Sequence, residues 1–365
     1  MGQSSGFKVP FFYYIRFQFG LKTETVALQH RDLIVKKSIL KLTTLALAVS
    51  SFNVLAAAKP AVIYDTTGKF DKSFNEAVYQ NGVKVMNAEG NKVREFEPQN
   101  EAQREQGLRR LASRGFTPIV AVGFNMVSAV DKVATEFPNI HFVVLDSVVN
   151  KPNVQSIIFK EHEGSFLVGA IAAKYSKSDV VGFVGGMDIP LIRKFECGYE
   201  QGAKFANPNI KVLANMTGST GAAFNDPAKG SELAKAQFSK GADVIYAAAG
   251  GTGLGVYQAA ADAGKYAIGV DSNQNHLHPG TMLTSMVKKV GQAAYKSWHD
   301  EMDGTWKAGV TVLGLEDNAL DYAIDQYNKD LITPEVKTYV EGIKADIISG
   351  KIKVHDYTTD NTCKF

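Results

Sequence analysis

Cysteine is scarce in this chain of 365 residues, which contains only Cys197 and Cys363. Two cysteines so far apart exclude the closely spaced pairs of zinc sites and thiol redox motifs. The Gly-x-Ser-x-Gly and His-Glu-x-x-His motifs of hydrolases and metalloproteases are also missing from the sequence. We therefore expect a binding protein with no catalytic residues, no cofactor and no metal site, rather than an enzyme.

Long hydrophobic runs are missing too. The apolar stretch at 42–52 is shorter than the roughly 20 residues that span a bilayer. Basic residues precede this stretch and Ala56–Ala58 follow it, which is the pattern of a cleavable signal peptide. We expect a signal peptide over 35–58 and an over-extended start over 1–34 with no structure of its own. No cysteine follows the apolar stretch, so we expect a periplasmic protein that is not a lipoprotein.

The positive net charge of +3 belongs to this leader. Seven of the 40 basic and two of the 37 acidic residues lie within 1–58, which leaves 33 bases and 35 acids in the mature chain. A chain with this balance lacks the excess of basic residues that is typical of nucleic-acid-binding proteins. We expect a monomer, and the two cysteines of an exported chain favour a disulfide over two free thiols.

Short β-branched segments alternate with amphipathic helices along the rest of the chain. Alternation of this kind predicts α/β lobes with parallel sheets and helices on both faces. The first unit is the segment 61–75, a buried strand, a Thr-Thr-Gly turn and a helix with Ser73 as its expected N-cap. Ligands bind at such strand ends in doubly wound sheets.

Three carboxylates follow apparent strands and are candidate ligand-binding residues: Asp65, Asp146 and Asp271. A carboxylate can accept two ribose hydroxyls, although each could equally cap the next helix. Phe74 and Phe195 are candidates to stack on a flat base, with core packing as the alternative. The glycine run at 250–255 matches neither the dinucleotide nor the phosphate-loop pattern, so Gly251, Thr252 and Gly253 are expected to offer backbone amides or simply to allow tight packing.

Two histidines, His276 and His278, lie in a Gly/Pro/Asn loop. Two ligands without a third are more typical of a surface loop than of a metal site. The remaining candidates for ligand contact are Asn75, Gly123, Phe124 and Lys288.

The segment 61–75 resembles the start of the basic membrane protein (BMP) family, which includes purine nucleoside receptors of ABC importers. The similarity continues in family order through 141–149, 163–169, 181–187, 248–256, 268–271 and 283–288. The resemblance implies a type I periplasmic-binding-protein fold in which two doubly wound parallel-sheet lobes are joined by a hinge. It also implies that Asp271 binds ribose hydroxyls and that Asp65 faces the base.

The pattern and the resemblance together give an expected division of the chain. The N-terminal lobe is expected to comprise 59–158 and 286–309, and the C-terminal lobe 159–285 and 310–365. The expected function is capture of a purine nucleoside or free purine base between the lobes and delivery to an ABC permease. The alternative is a sugar-binding or autoinducer-type chemosensory protein on the same fold.

Overall fold

The computed structural model describes residues 58–365, and its strands form two separate six-stranded sheets. The expected over-extended start and signal peptide, up to residue 57, lie outside the described residues. Among the residues described, no helix is both long and apolar enough to cross a membrane.

The first sheet is parallel throughout and forms the centre of the N-terminal lobe. Its strands are β1 (Ala61–Ile63), β2 (Arg94–Phe96), β3 (Ile119–Ala121), β4 (Phe142–Leu145), β5 (Val154–Phe159) and β11 (Gly309–Leu313). Their order in the sheet is β11-β5-β4-β3-β1-β2. The central strands consist of apolar residues that are fully buried, because helices cover both faces of the sheet.

Helices from two parts of the chain pack on this sheet. Trp298 is fully buried, and its indole N–H donates to the carbonyl of Ala61, which anchors a late helix to the first strand. A π-helical segment, Tyr79–Val83, separates the first two helices. The helices of this lobe are α1 (Phe74–Val78), α2 (Lys84–Ala88), α3 (Ala102–Ala112), α4 (Val127–Glu136) and α9 (Val290–Met302).

The second sheet forms the C-terminal lobe. Its strands are β6 (Val180–Met187), β7 (Lys211–Gly218), β8 (Val244–Ala248), β9 (Tyr266–Asp271), β10 (Met282–Lys288) and β12 (Leu320–Tyr322). Their order is β12-β10-β9-β8-β6-β7, and only the edge strand β12 is antiparallel to its neighbour. The helices are α5 (Glu161–Tyr175), α6 (Pro190–Ala206), α7 (Pro227–Ser239), α8 (Gly253–Asp262) and α10 (Pro334–Ile348). The expected α/β class with two doubly wound lobes is therefore confirmed.

The chain passes between the lobes three times: after β5, after β10 and after β11. The sheet membership differs from the expected lobe boundaries in two places. Residues 286–288 continue β10 and lie in the second sheet, because this strand pairs in parallel with β9 through Val287. Strand β11 lies in the first sheet, because it pairs in parallel with β5. An isolated apolar strand such as 310–315 does not reveal which sheet edge it will join.

A disulfide joins Cys197 of α6 to Cys363 near the C-terminus, with the two Cα atoms 5.3 Å apart. The side chain of Gln201, one turn further along α6, bonds both the backbone N–H and the carbonyl of His355. The C-terminal tail is thus attached to the helix that also carries Phe195.

Candidate functional site

A cavity lies between the two lobes, at the carboxyl ends of both sheets. Its empty volume is about 620 Å³, including space open to solvent. The location is the one expected for ligands of open α/β sheets. It is lined by Asp65, Thr67, Asp71, Phe74, Gly123, Phe124, Asp146, Leu191, Ile192, Phe195, Phe224, Ala248, Gly250, Val270 and Asp271.

The turn between β1 and α1 is organised by Asp71. Its carboxylate accepts hydrogen bonds from the backbone N–H groups of Ser73, Asn75 and Glu76, so Asp71 satisfies the amides at the start of the helix. Burial raises the pKa of Asp71 to about 6. The expected N-cap, Ser73, makes no side-chain cap bond. Its hydroxyl instead donates to Oδ2 of Asp271 in the other lobe, at 2.8 Å.

Asn75 is fully buried below this turn. Its Oδ1 accepts from the backbone N–H of Asp65, while its Nδ2 donates to Thr67 Oγ1 at 2.8 Å and to the carbonyl of Gly68 at 2.9 Å. The side chain therefore fixes the shape of the turn and is not among the residues that line the cavity.

Aromatic side chains from both lobes face the cavity. Phe74 begins α1 of the first lobe, and Phe195 lies within α6 of the second. The Nζ atom of Lys288 lies 5.3 Å from the ring centroid of Phe74 and 5.5 Å from that of Phe195. A second aromatic pair, Phe124 and Phe224, meets edge to face across the cleft with centroids 6.1 Å apart.

Two of the strand-end acids occupy corresponding positions in the two lobes. Asp146 follows β4 and Asp271 ends β9, and their φ angles are +65° and +63°. Aspartate tolerates this left-handed conformation better than most residues. Burial raises the pKa of Asp271 to about 6, while the ammonium of Lys288 and the hydroxyl of Ser73 act in the opposite direction. Burial also raises the pKa of Asp146.

Lys288 lies at the floor of the cavity and is itself almost completely buried. Its ammonium is 2.6 Å from Asp146 Oδ2 and 2.7 Å from Glu161 Oε1. The second oxygen of Glu161 is 3.0 Å from Nζ of Lys194, the residue before Phe195. Although burial raises the pKa of Glu161, these two ammonium groups lower it to about 2. An alternating series of charges therefore runs beneath the cavity.

Asp65 lines the cavity, but much of its carboxylate is already engaged. Oδ1 accepts from Arg104 Nη2 at 2.9 Å and from the backbone N–H of Thr66 at 2.7 Å. Oδ2 accepts from Asn125 Nδ2 at 3.1 Å. No sequence pattern pointed to Arg104, since it lies in a helix 39 positions away from Asp65.

The glycine run at 250–255 borders the cavity at one residue. Gly250, with a φ of +55°, lines the cavity. Thr252 is buried, and its hydroxyl donates to the carbonyl of Ala223 and accepts from the N–H of Asp226, which fixes the loop that carries Phe224. Gly251 and Gly253 continue the turn into α8 and are not among the lining residues.

Of the sequence candidates, seven line this cavity: Asp65, Phe74, Gly123, Phe124, Asp146, Phe195 and Asp271. Lys288 lies directly beneath it. Sequence reasoning missed Asp71 and Phe224 among the lining residues, and Glu161 and Lys194 below them. Asp71 could have been suspected, because an Asp-x-Ser segment just before a helix is a capping pattern. Among the described residues there is no cluster of three or more metal-ligating side chains.

The family profile described as "ABC transporter substrate-binding protein PnrA-like", Bmp, matches residues 58–358. This chain belongs to the Bmp family. A solute-binding protein of an ABC transporter system from Aeropyrum pernix has a similar crystal structure, with a TM-score of 0.74 and 27% identity over 82% of this chain and 93% of that one. The family and the type I periplasmic-binding-protein fold are thus as the resemblance implied.

Curated relatives of this Bmp-family chain agree with that assignment. The ABC transporter nucleoside-binding protein BmpA of Lactococcus lactis is 32% identical over 329 residues, covering 84% of this chain and 91% of the relative. An uncharacterized lipoprotein of Pyrococcus horikoshii is 33% identical over 280 residues, covering 72% and 68%. The chain is therefore an ABC transporter substrate-binding protein.

Proposed function

We propose that this substrate-binding protein captures a purine nucleoside or free purine base between its lobes. The observation that carries the proposal is the pair Phe74 and Phe195, which reach one cavity from different lobes with the ammonium of Lys288 within 5.5 Å of both ring centroids. Two aromatic rings that line one cavity suit a flat heterocycle, since each base–aromatic stack contributes about 1–3 kcal/mol. The relative named as nucleoside-binding supports this ligand class.

Polar groups around the aromatic pair supply acceptors for a ribose. Oδ1 of Asp146 is buried and has no hydrogen-bond partner among the described residues. Asp271 has one oxygen engaged by Ser73, which leaves the other for a ligand hydroxyl. Lys288 uses two of its three N–H donors on carboxylates, and the third serves the ligand. Asp65, held by Arg104, offers its remaining lone pair to a base N–H.

In the proposed transport cycle the ligand-bound, closed protein docks on an ABC permease as a monomer. We further propose that the chain is exported through the signal peptide at 35–58 and works in the periplasm without a lipid anchor. Two relatives are lipoproteins by name, whereas the cysteines here lie at 197 and 363. Mass spectrometry of the exported protein tests this arrangement, because a mature N-terminus at Lys59 without a lipid is the expected result.

A thermal-shift panel of nucleosides, free bases and sugars tests the ligand class. A ligand at 100 times its Kd adds about 2.7 kcal/mol of stability. We expect shifts with adenosine, guanosine, inosine or their bases, and a Kd in the micromolar range or tighter, about −8 kcal/mol. Shifts confined to sugars would favour the sugar-binding alternative instead.

A further inference from the structure

Five charged side chains form a continuous series from the cavity to the C-terminal tail. In order they are Asp146, Lys288, Glu161, Lys194 and Asp356, and the last pair is separated by 3.5 Å. Glu161 is the central member and is completely buried. It is also the one carboxylate of the series that lies between two lysines.

Glu161 lies at a crossing between the lobes and contacts lysines from two other parts of the chain. It begins α5 immediately after β5, at the first crossing between the lobes, whereas Lys288 ends β10 at the second crossing. Lys194 lies on α6 next to Phe195, and its ammonium also donates to the carbonyl of Phe159 at 2.8 Å. One side chain therefore connects both of these hinge crossings to the helix that carries half of the aromatic pair.

We infer that Glu161 is a positioning residue for ligand capture, holding Lys288 at the floor of the cavity and Lys194 beside Phe195. The inference rests on the proposed function in so far as Lys288 and Asp146 contact the ligand. Without Glu161, Lys288 pairs with Asp146 alone and is drawn toward that carboxylate. Lys288 then occupies Oδ1 of Asp146, the oxygen that is proposed to accept a hydrogen bond from the ligand.

Substitution by glutamine leaves both lysines with a carboxylate partner. Lys288 keeps Asp146, and Lys194 keeps Asp356, so no buried ammonium is left unpaired. Glu163 provides a matched control, since it lies on the same helical turn, is also largely buried, and bonds Lys160 and the N–H of Leu315 instead of the series. E161D is a second variant that keeps the charge but shortens its reach.

The test compares nucleoside affinity of the wild type, E161Q, E161D and E163Q by calorimetry between pH 5 and pH 8. We expect E161Q to bind about tenfold more weakly, or worse, and E161D to bind with intermediate affinity. We expect E163Q to remain within about twofold of the wild type. Equal affinities of E161Q and the wild type at every pH would overturn the inference.

The pH profile separates positioning from a general loss of packing. Asp146 is faced by Lys288 from β10, by Glu161 from α5 and by Asp271 from β9. Because removal of the negative charge at 161 lowers the pKa of Asp146, the acid limb of the affinity profile should move to lower pH in E161Q. An unmoved acid limb, with affinity lowered equally at all pH values, would indicate a merely structural role and contradict the inference.

A ligand-independent measurement keeps the two proposals distinguishable. The ε-carbon chemical shift of Lys288 at pH 7, measured by NMR of protein labelled at the lysine ε-carbon and assigned with K288R, should change in E161Q and stay unchanged in E163Q. If the wild type binds no nucleoside, the proposed function fails while this result still decides the role of Glu161. An unchanged Lys288 chemical shift in E161Q would refute the positioning role in either case.

Discussion

The hydroxyl of Ser73 donates a hydrogen bond to Oδ2 of Asp271, 198 positions along the chain and in the opposite lobe. The same stretch makes two further bonds across the cleft, from Ser272 Oγ to the carbonyl of Ser73 and from Gln274 Nε2 to the carbonyl of Lys72. The turn that begins the first lobe is therefore attached to the end of β9, and these bonds stabilise the observed arrangement of the two lobes.

Replacing Ser73 by alanine should favour the open protein. A hydrogen bond to a charged group contributes about 1.5–3 kcal/mol, so we expect ligand affinity to fall roughly tenfold or more. Small-angle scattering of the unliganded variant should also give a larger radius of gyration. S113A, which changes an exposed serine within the first lobe, serves as the control. Unchanged scattering and affinity for S73A would contradict this role.

Replacing Phe74 or Phe195 by alanine should weaken every purine ligand. The expected loss is about 1–3 kcal/mol for each ring, because each variant removes one stacking surface. F70A is the matched control, since Phe70 lies in the same turn but is 58% exposed and packs on Tyr79 outside the cavity. Calorimetry with adenosine measures all three, and full affinity of F74A would remove that residue from the site.

Replacing Asp271 by alanine should distinguish nucleosides from free bases. If its carboxylate accepts ribose hydroxyls, D271A weakens adenosine much more than adenine, which has no ribose. The loss of the bond to Ser73 affects both ligands equally and cancels in the ratio of the two affinities. Equal losses for adenosine and adenine would show that Asp271 acts on closure alone.

The raised pKa of Asp271 predicts a pH-dependent contribution to stability. The carboxyl titrates near 3.9 in an unfolded chain and at about 6 in the folded protein, so between these values only the folded protein keeps the proton. Its contribution to the free energy of unfolding therefore falls as pH rises from about 4 to about 6, by up to about 1.4 kcal/mol per pH unit. Above pH 6 the contribution is constant.

Urea titrations of the wild type and D271N at pH 4, 5, 6 and 7 measure this contribution as a difference. The asparagine keeps the shape of the side chain and does not titrate, so effects of carboxylates far from position 271 cancel. We expect the wild type to lose stability relative to D271N up to pH 6. A difference that stays flat or rises with pH over this window would disprove the assignment.

The disulfide between Cys197 and Cys363 should stabilise the second lobe. It closes a loop with a sequence separation of 166 residues, and native disulfides contribute about 2–5 kcal/mol. C363S should therefore lower the Tm, while a thiol assay on the denatured, unreduced wild type should detect no free thiols. Two free thiols in that assay would show that the bond does not form.

Local sequence patterns were sufficient to predict the fold class and several residues of the candidate site. The alternation of β-branched strands with amphipathic helices requires parallel sheets covered by helices, because such strands are apolar on both faces. Asp146 and Asp271 could be found because each ends a buried strand, and strand ends in a doubly wound sheet meet at one edge. Phe74 could be identified as a candidate site residue because it begins the helix that follows the first strand and its turn.

Other features depended on the tertiary structure alone. Strand β11 could join either of two open sheet edges, and nothing in its residues favours the edge at β5 over the other. Glu161, Lys194 and Arg104 lie in ordinary helical segments and become significant only where folding pairs them with Lys288 or Asp65. Ser73 is a helix cap by local rules, yet Asp71 takes the amides and Ser73 reaches Asp271. The sequence determines the charge and hydrogen-bonding capacity of each side chain, whereas tertiary packing determines which distant residue that side chain contacts.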